Sequence, residues 1–572
     1  MAVRAWQAGD AAEFPRLGDR SPGATWLRQP ILQGAAYVFS PVFTAERSQA
    51  FDERTFLYGE EFLLAVDCLL AGHATVYDPR VVIRHEEGAS TAKLPEQRKI
   101  ERGFEAVIET AAVCRERLER RTAASRGAWL EADAAAIPLL TGDGRIHVLV
   151  DLFFSQPGPH GGGEYGKAVF KALVAAAAAR GDLQLWVALD PALFIDDWVW
   201  HACRDHAVNV VAVKSYDDIV RLVDAGQFTS FFAPAIVVYT GYEYMRRVGG
   251  EIRFRPGHTR VIGTLLDLRD LELAEGWGAI TAARHSAGCS REAVLSAGAR
   301  AEAERAEARH AEGLRRMYRD ICASPAVHEI VTISEYSARS IRHRLGTSRP
   351  IHVLYAPEKG RPAPEAFACP GLDAEGDAFV LVLNAGREEK NAAAVVAAFD
   401  RLFSDPGFAA AHRDLKLVLM GISGLDDLGI ARAAQPGRIV TLPHVSAARL
   451  EWLLSRARFL AYASLNEGFG YPPLEAMTHG TPSLIGDNTA VPEVCGAAAV
   501  TCDPFDIDSI AAGIRTILTA PPAPEALRMQ LAVTAARQRG DVLALVDLIC
   551  GRSRPAPACD TSRSSNMRTR AA

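Results

Sequence analysis

A chain of 572 residues has room for about three or four domains of roughly 150 residues each, and an apolar share of 49% is ample for packed cores. A net charge of −6 argues against a nucleic-acid binder, and the ten cysteines contain no Cys-x-x-Cys pair, so neither a zinc site nor a redox dithiol is indicated. No apolar run reaches the length of about eighteen residues that a membrane-spanning helix needs, and the start, MAVRAWQAGDAAEF, lacks the apolar core of a signal peptide. Scattered thiols of this kind suit a reducing cytoplasm.

Residues 1–28 are polar and irregular, and the stretch PILQGAAYVFSPVF follows with Gly34 at a turn. Glu61 to Leu70 has helical spacing through Phe62, Leu63, Val66, Leu69 and Leu70, and Gly72 is a suitable stop. Ala74 to Tyr77 and Val81 to Ile83 read as short strands, and Lys93 to Glu119 as a long charged amphipathic helix. An acid pair, Glu60 and Glu61, follows Tyr58-Gly59, and His85 lies further on. In that order the segment resembles the back half of family 2 glycosyltransferases, which have a GT-A fold. The resemblance implies that the acid pair would supply a base and His85 a metal or phosphate contact. The nucleotide-binding front half of that fold is not in the chain, and no Asp-x-Asp precedes Phe51. Residues 1–121 are therefore expected to be a truncated GT-A-like remnant, inactive alone unless a partner chain completes it.

Residues 122–145 are Ala-rich and read as a linker ending in Thr141-Gly142-Asp143-Gly144. His147 to Phe153 reads as a buried strand, Gly158 to Gly163 as a glycine-rich loop and Glu164 to Ala178 as a helix. That layout begins a nucleotide-binding half of an α/β sheet. It lacks the Gly-x-Gly-x-x-Gly and ribose acid of a dehydrogenase. Strands follow at Leu183 to Leu189, Val208 to Val213, Ser230 to Phe232, Thr259 to Asp267 and Glu329 to Ser334, with helical patterns between them, including a long charged one from Arg291 to Cys322. The alternation predicts a parallel doubly wound sheet. Asp267, at a strand end, is placed either to hold an acceptor hydroxyl or to cap the next segment. Ser334 is placed to cap a helix.

Arg361 to Gly376 is Pro-rich and reads as a hinge. A second strand–helix series begins at Phe379 to Leu383 and runs into Asn384-Ala385-Gly386-Arg387-Glu388-Glu389-Lys390-Asn391, with a helix from about Asn391. Arg387 and Lys390, beside a helix start, make a diphosphate clamp of one fork and one point charge. Leu415 to Met420 and Arg438 to Leu442 read as strands, and Ala457 to Ala463 as another that leads into Glu467-Gly468-Phe469-Gly470-Tyr471-Pro472-Pro473-Leu474-Glu475. A helix over Pro472 to His479 follows, with prolines where a first turn tolerates them. Gly468 and Gly470 let a ligand approach the backbone, and the free N–H groups of the helix start favour phosphate. Glu467 and Glu475 are acceptors suited to sugar hydroxyls. Thr481 to Ile485 and Ala497 to Cys502 are further strands. Asp506-Ile507-Asp508 opens a helix, where acids favour the dipole, and is not read as a metal site. From about Gly551 the tail is rich in Ser, Arg and Pro and is expected to be disordered.

The stretch from Glu467 to Glu475 resembles the Glu-x7-Glu signature of retaining GT-B glycosyltransferases, in particular family 4. The resemblance covers about residues 146–540. It implies an α/β chain with a GT-B fold of two doubly wound Rossmann-like domains, 146–360 on the acceptor side and 376–540 on the donor side, after the partial GT-A-like segment. It further implies that Glu467 contacts the transferred sugar and Glu475 the ribose. Arg387 and Lys390 would hold the donor diphosphate, Gly468, Phe469 and Gly470 would border the donor, and Gly162 and Gly163 would face its phosphates. Related enzymes often carry His-Asp-Leu at the strand end where this chain has Leu266-Asp267-Leu268, so a general base of that kind is missing. The implied activity is a metal-independent hexosyltransferase with no cofactor beyond a nucleotide-diphosphate sugar. Its acceptor would be a growing glycan or lipid-linked oligosaccharide in bacterial polysaccharide or cell-envelope biosynthesis. The expected place is the cytoplasm, or its membrane face if the acceptor is lipid-linked. Two readings of other classes stay open: a non-catalytic scaffold that binds a nucleotide sugar, and a GT-B-type sugar epimerase.

Overall fold

The computed structural model describes residues 144–552, apart from 157–159, 192, 194, 244–246, 256, 288–296, 368, 370, 373–376 and 431–432, together with the dipeptides 27–28, 76–77 and 130–131. The chain divides into two compact units, 1–128 and 129–572. In the first, β1 (Leu27–Arg28) pairs antiparallel with β2 (Val76–Tyr77), the latter inside the strand expected at Ala74 to Tyr77. Glu60, Glu61, His85, the two helices expected around them and the tail from 553 lie outside the described residues.

The second unit holds two sheets. The N-terminal one contains β3 (Leu130–Glu131), β4 (Ile146–Asp151), β5 (Leu183–Leu189), β6 (Asn209–Ala212), β7 (Ser230–Ala233), β8 (Arg260–Thr264), β9 (Glu329–Thr332) and β10 (Ile351–Val353), in the order β10-β9-β8-β7-β4-β5-β6-β3. Its helices are α1 (Gly161–Ala178), α2 (Asp197–Asp205), α3 (Tyr216–Asp224), α4 (Arg269–Glu275), α5 (Trp277–Ser286), α6 (Ala297–Ala323) and α7 (Glu335–Leu345). The C-terminal sheet contains β11 (Ala378–Val382), β12 (Leu415–Met420), β13 (Ile439–Leu442), β14 (Phe459–Tyr462), β15 (Ser483–Gly486) and β16 (Val500–Cys502), in the order β13-β12-β11-β14-β15-β16. With it go α8 (Ala392–Phe403), α9 (Pro406–Ala411), α10 (Ala447–Arg456), α11 (Tyr471–Thr478), α12 (Val491–Cys495), α13 (Ile507–Thr519) and α14 (Pro524–Ile549).

Every strand pair in both sheets is parallel. Helices cover both faces of such sheets, so the strand centres are apolar: Val148, Leu149 and Val150 are fully buried, as are Leu417, Val418 and Leu419. The result is the expected pair of doubly wound domains. Winding reverses between β4 and β7 in one sheet and between β11 and β14 in the other. Open α/β sheets take ligands outside the carboxyl ends of the strands at such reversals. The last helix, α14, packs on α11 and α12 and also on α1, so it straps the two halves together and runs past the domain end expected at 540.

Two expectations are corrected. Residues 122–145 are not only a linker, because β3 within them extends the sheet edge in register with β6, Leu130 opposite Val211 and Glu131 opposite Ala212. An open edge strand offers unpaired N–H and C=O groups to any extended segment nearby. The glycines at 161–163 are not loop but the first turn of α1, because the His160 side chain accepts the Gly163 N–H and caps the helix there.

Candidate active site between the two sheets

The site starts at the reversal of the C-terminal sheet. Beyond β11 the chain is bracketed by two asparagines in the left-handed region, Asn384 (φ 53°) and Asn391 (φ 58°). Asn visits that region more readily than most residues because its short amide can bond locally. Asn391 is held there by its own side chain, which donates to the carbonyls of Ala463 (3.2 Å) and Pro504 (2.7 Å). Between them Glu388–Lys390 wind into a single 3-10 turn, which Arg387 opens and Lys390 closes. The Leu465 N–H donates to the Glu389 carbonyl at 2.7 Å, tying this turn to the loop after β14.

That tie brings Lys390 and Glu467 together. Lys390 Nζ lies 2.5 Å from Glu467 Oε1 and 3.1 Å from the Tyr462 hydroxyl. Burial pushes the Glu467 carboxyl up. The Lys390 cation and the hydroxyls of Tyr462 and Ser464 outweigh it and hold the carboxyl below its usual range, so Glu467 is ionised. Gly470 (φ 108°) makes the turn into α11, whose first turn carries Pro472 and Pro473. The Phe469 ring is buried against the rings of Tyr355 and Tyr471, so what this residue offers the crevice is main chain. Glu475 Oε1 stands 3.3 Å from Lys359 Nζ, and that ammonium lies 3.9 Å from the Tyr471 ring centroid.

The N-terminal sheet faces this from the end of β8. A Cβ on Gly468 would run into the Asp267 carboxylate, so these residues of the two sheets touch. Asp267 accepts the Arg269 N–H at 3.1 Å. Burial pushes its pKa up to about 6. The Arg269 N–H opposes the shift, Glu272 and Glu467 add to it, and Arg387 opposes it. Arg387, whose side chain is 46% exposed, pairs with Glu389 and also lowers the raised pKa of Asp270, which burial and Glu389 push up to about 6. Arg387 and Glu467 are thus near enough to Asp267 for their charges to act on it, where the ends of the two sheets touch. Gly162 packs so closely that an added Cβ would meet Phe154 and Leu266, and the first turn of α1 is near enough for Glu164 and Tyr165 to raise the pKa of Tyr471 further, after burial.

Further residues bond across the two sheets. Asn466 donates to Glu272 across the crevice. Ser334 caps α7 as expected, accepting the Ser337 N–H at 3.1 Å, and also donates to the Gly468 carbonyl at 2.8 Å. The Glu493 carboxylate accepts the N–H groups of Glu335 and Tyr336, each at 2.9 Å, and the Tyr355 hydroxyl at 2.8 Å. An acid at a helix start satisfies free donors and complements the dipole; here it comes from the other sheet. Asp506 caps α13 by accepting the Asp508 N–H. Among the described residues no group of three or more His, Cys, Asp or Glu is placed to hold a metal ion, and no helix is long and apolar enough to cross a membrane.

Residues 370–533 match the sequence model of a family described as Glycosyl transferases group 1. Arg387, Lys390 and the stretch from Glu467 to Glu475 lie inside that segment; Gly162, Gly163 and Asp267 lie outside it. The chain is 39% identical over 102 residues to O-antigen chain mannosyltransferase B of Escherichia coli, covering 17% of this chain and 27% of that protein. It is 37% identical over 86 residues to O-antigen chain mannosyltransferase RfbU of Salmonella typhimurium, covering 15% and 24%. It therefore spans about a quarter of the length of these curated relatives. Among solved structures it is similar to sucrose-phosphate synthase from Thermosynechococcus elongatus (13% identity, TM-score 0.44, 71% of this chain and 98% of that one). It is also similar to Anabaena Alr3699/HepE in complex with UDP-glucose (15%, 0.41, 71% and 99%).

Proposed function

We propose that the chain is a retaining glycosyltransferase of family 4 type, moving a sugar from a nucleotide-diphosphate sugar to a hydroxyl of a growing glycan or lipid-linked oligosaccharide. The observation that carries this reading is the meeting of Arg387, Lys390, Glu467 and Asp267 in one crevice between two doubly wound sheets. The names of the relatives make mannose the first sugar to try.

On this reading the Arg387 fork, the Lys390 ammonium and the first turn of α11 receive the leaving diphosphate, so the scheme calls for no metal. Gly162 and Gly163 bring the start of α1 toward the same phosphates. Gly468, Phe469 and Gly470 border the donor with main chain, Glu467 accepts from the sugar hydroxyls and Glu475 from the ribose. Asp267 accepts from the acceptor hydroxyl. Leu266 offers no base, so the leaving phosphate takes the acceptor proton. A lipid-linked acceptor would bring the protein to the inner membrane face by peripheral contact.

A thermal-shift panel of nucleotide-diphosphate sugars, followed by transfer assays with the shifting donor, tests the reading. The Glu467→Ala variant should remain folded and lose transfer; unchanged turnover would rule out this site. The absence of a histidine at Leu266 favours one rival, a scaffold that binds the donor and neither transfers nor hydrolyses it, and the same assays separate the two.

A further inference from the structure

The first turn of α1 is held by a histidine, and the bonding requires one protonation state. The Gly163 N–H donates to His160 Nδ1 at 3.1 Å, while His160 Nε2 lies 3.0 Å from the Phe154 carbonyl oxygen. A carbonyl oxygen only accepts, so Nε2 carries the proton and Nδ1 the lone pair. The ring stands edge-on to Phe154 at 4.9 Å between centroids, and a Cβ on Gly163 would strike the imidazole. Ser155 completes the clasp, its hydroxyl donating to the Gly163 carbonyl at 3.0 Å.

We propose that His160 is a positioning residue for transfer: its neutral imidazole spans Phe154 and Gly163 and fixes Gly162 against Leu266, beside Asp267. The inference rests on the glycosyltransferase reading. Protonation would put a hydrogen on Nδ1 facing the Gly163 N–H, two donors with no acceptor between them, and the cap would open. The charged groups that act on the ring are Glu164, in the same turn, and Lys167, one turn on, which is itself paired with Glu164 and Asp196. Burial lowers the imidazole pKa, the Phe154 carbonyl and Glu164 oppose that, and Lys167 adds to it. The neutral form therefore persists at neutral pH, and the clasp fails as pH drops below the ordinary histidine range.

The test uses the full chain, as wild type, His160→Asn and His160→Ala. Asn offers the Gly163 N–H an acceptor that does not titrate. Hydrogen exchange of the Gly161 to Glu164 amides, corrected for intrinsic rates, is compared at about pH 7.5 and about pH 5. The wild type should lose protection by about fivefold or more in acid, as loss of an ordinary helix cap implies, the Asn variant should keep it at both, and the Ala variant should lack it at both. Donor KM should follow the same pattern, rising in acid for wild type but not for His160→Asn. Protection that is flat with pH in a wild type that transfers sugar overturns the role of His160 alone. A turn that titrates in a protein taking no nucleotide sugar at either pH overturns the glycosyltransferase reading, and with it the link from this turn to transfer.

Discussion

At the carboxyl end of β4 the polar groups satisfy one another. Asp151 is fully buried and accepts the Phe154 N–H (3.0 Å) and the Tyr239 hydroxyl (2.6 Å). At the carboxyl ends of β11 and β14, Lys390 and Glu467 bond to each other, but the half-exposed Arg387, the Gly468–Gly470 main chain and the start of α11 stay turned toward the opposite sheet. One topology makes a wall in the first sheet and, on the proposed function, a receptor in the second. The difference lies in whether a strand-end charge is consumed by donors of its own sheet, the Phe154 N–H three residues on and the Tyr239 hydroxyl after β7. In the N-terminal sheet the acid near the crevice is therefore two strands away from β4, at Asp267 after β8.

The largest expected effect breaks the receptor end. Lys390→Met leaves a buried Glu467 without its cation, which should cost about 3–5 kcal/mol in urea unfolding and abolish transfer. Adding Glu467→Gln should recover most of the stability and none of the transfer. A single variant within about 1 kcal/mol of wild type would mean that water already screens the pair.

Breaking the wall should look different. Asp151→Ala strands the Tyr239 hydroxyl and the Phe154 N–H and should cost about 1–3 kcal/mol, yet leave kcat per folded molecule within about twofold. A loss of kcat far beyond the folded fraction would give β4 a catalytic share that its geometry does not suggest.

Asp267 sharpens the contrast through pH. Its folded pKa of about 6 exceeds the unfolded value of 3.8, so between those values the native state keeps a proton that the unfolded chain has lost. Its contribution to stability is thus full below about pH 4 and lost as pH rises through about 6. Asp267→Asn should be more stable than wild type by about 1–2 kcal/mol at about pH 7.5, discounted for the partial exposure of this residue, with the gap closing near pH 4. Transfer should fall at every pH, and the wild-type acid limb near pH 6 should disappear from whatever activity remains.

The same contrast decides what the sequence discloses. Leu415 to Met420 reads as a strand because a strand buried on both faces is a near-continuous apolar run, here interrupted only by Lys416, and β12 has those bounds. Arg387, Lys390, Glu467 and Glu475 are legible because each sits at a fixed offset in a strand–turn–helix unit. The engagement of Lys390 with Glu467, 77 residues on, is not legible, and neither is that of Asn466 with Glu272, 194 residues apart. These pairings depend on how the strand-end loops are set against one another, which no local periodicity encodes. β3 stayed hidden for another reason: two residues carry no pattern, and only the open edge of β6 gives them a place. The helical start at Gly161 is not legible because three glycines argue for a loop, and only the His160 cap holds them in a helical turn.

The smallest effect concerns Lys359, a cation outside the Glu467 to Glu475 motif. It comes from the segment between the sheets, pairs with Glu475 at 3.3 Å and lies over the Tyr471 ring. If Glu475 accepts from a ribose, the ammonium and the ribose hydroxyls compete for one carboxylate. Lys359→Met keeps an apolar stem over Tyr471 and frees Glu475. A partly exposed pair of this kind is worth less than about 1 kcal/mol, so donor KM should fall by no more than about fivefold, with kcat unchanged and a weaker salt dependence. A rise in KM would instead make Lys359 a donor contact, and the receptor would then extend beyond the C-terminal sheet into the connecting segment.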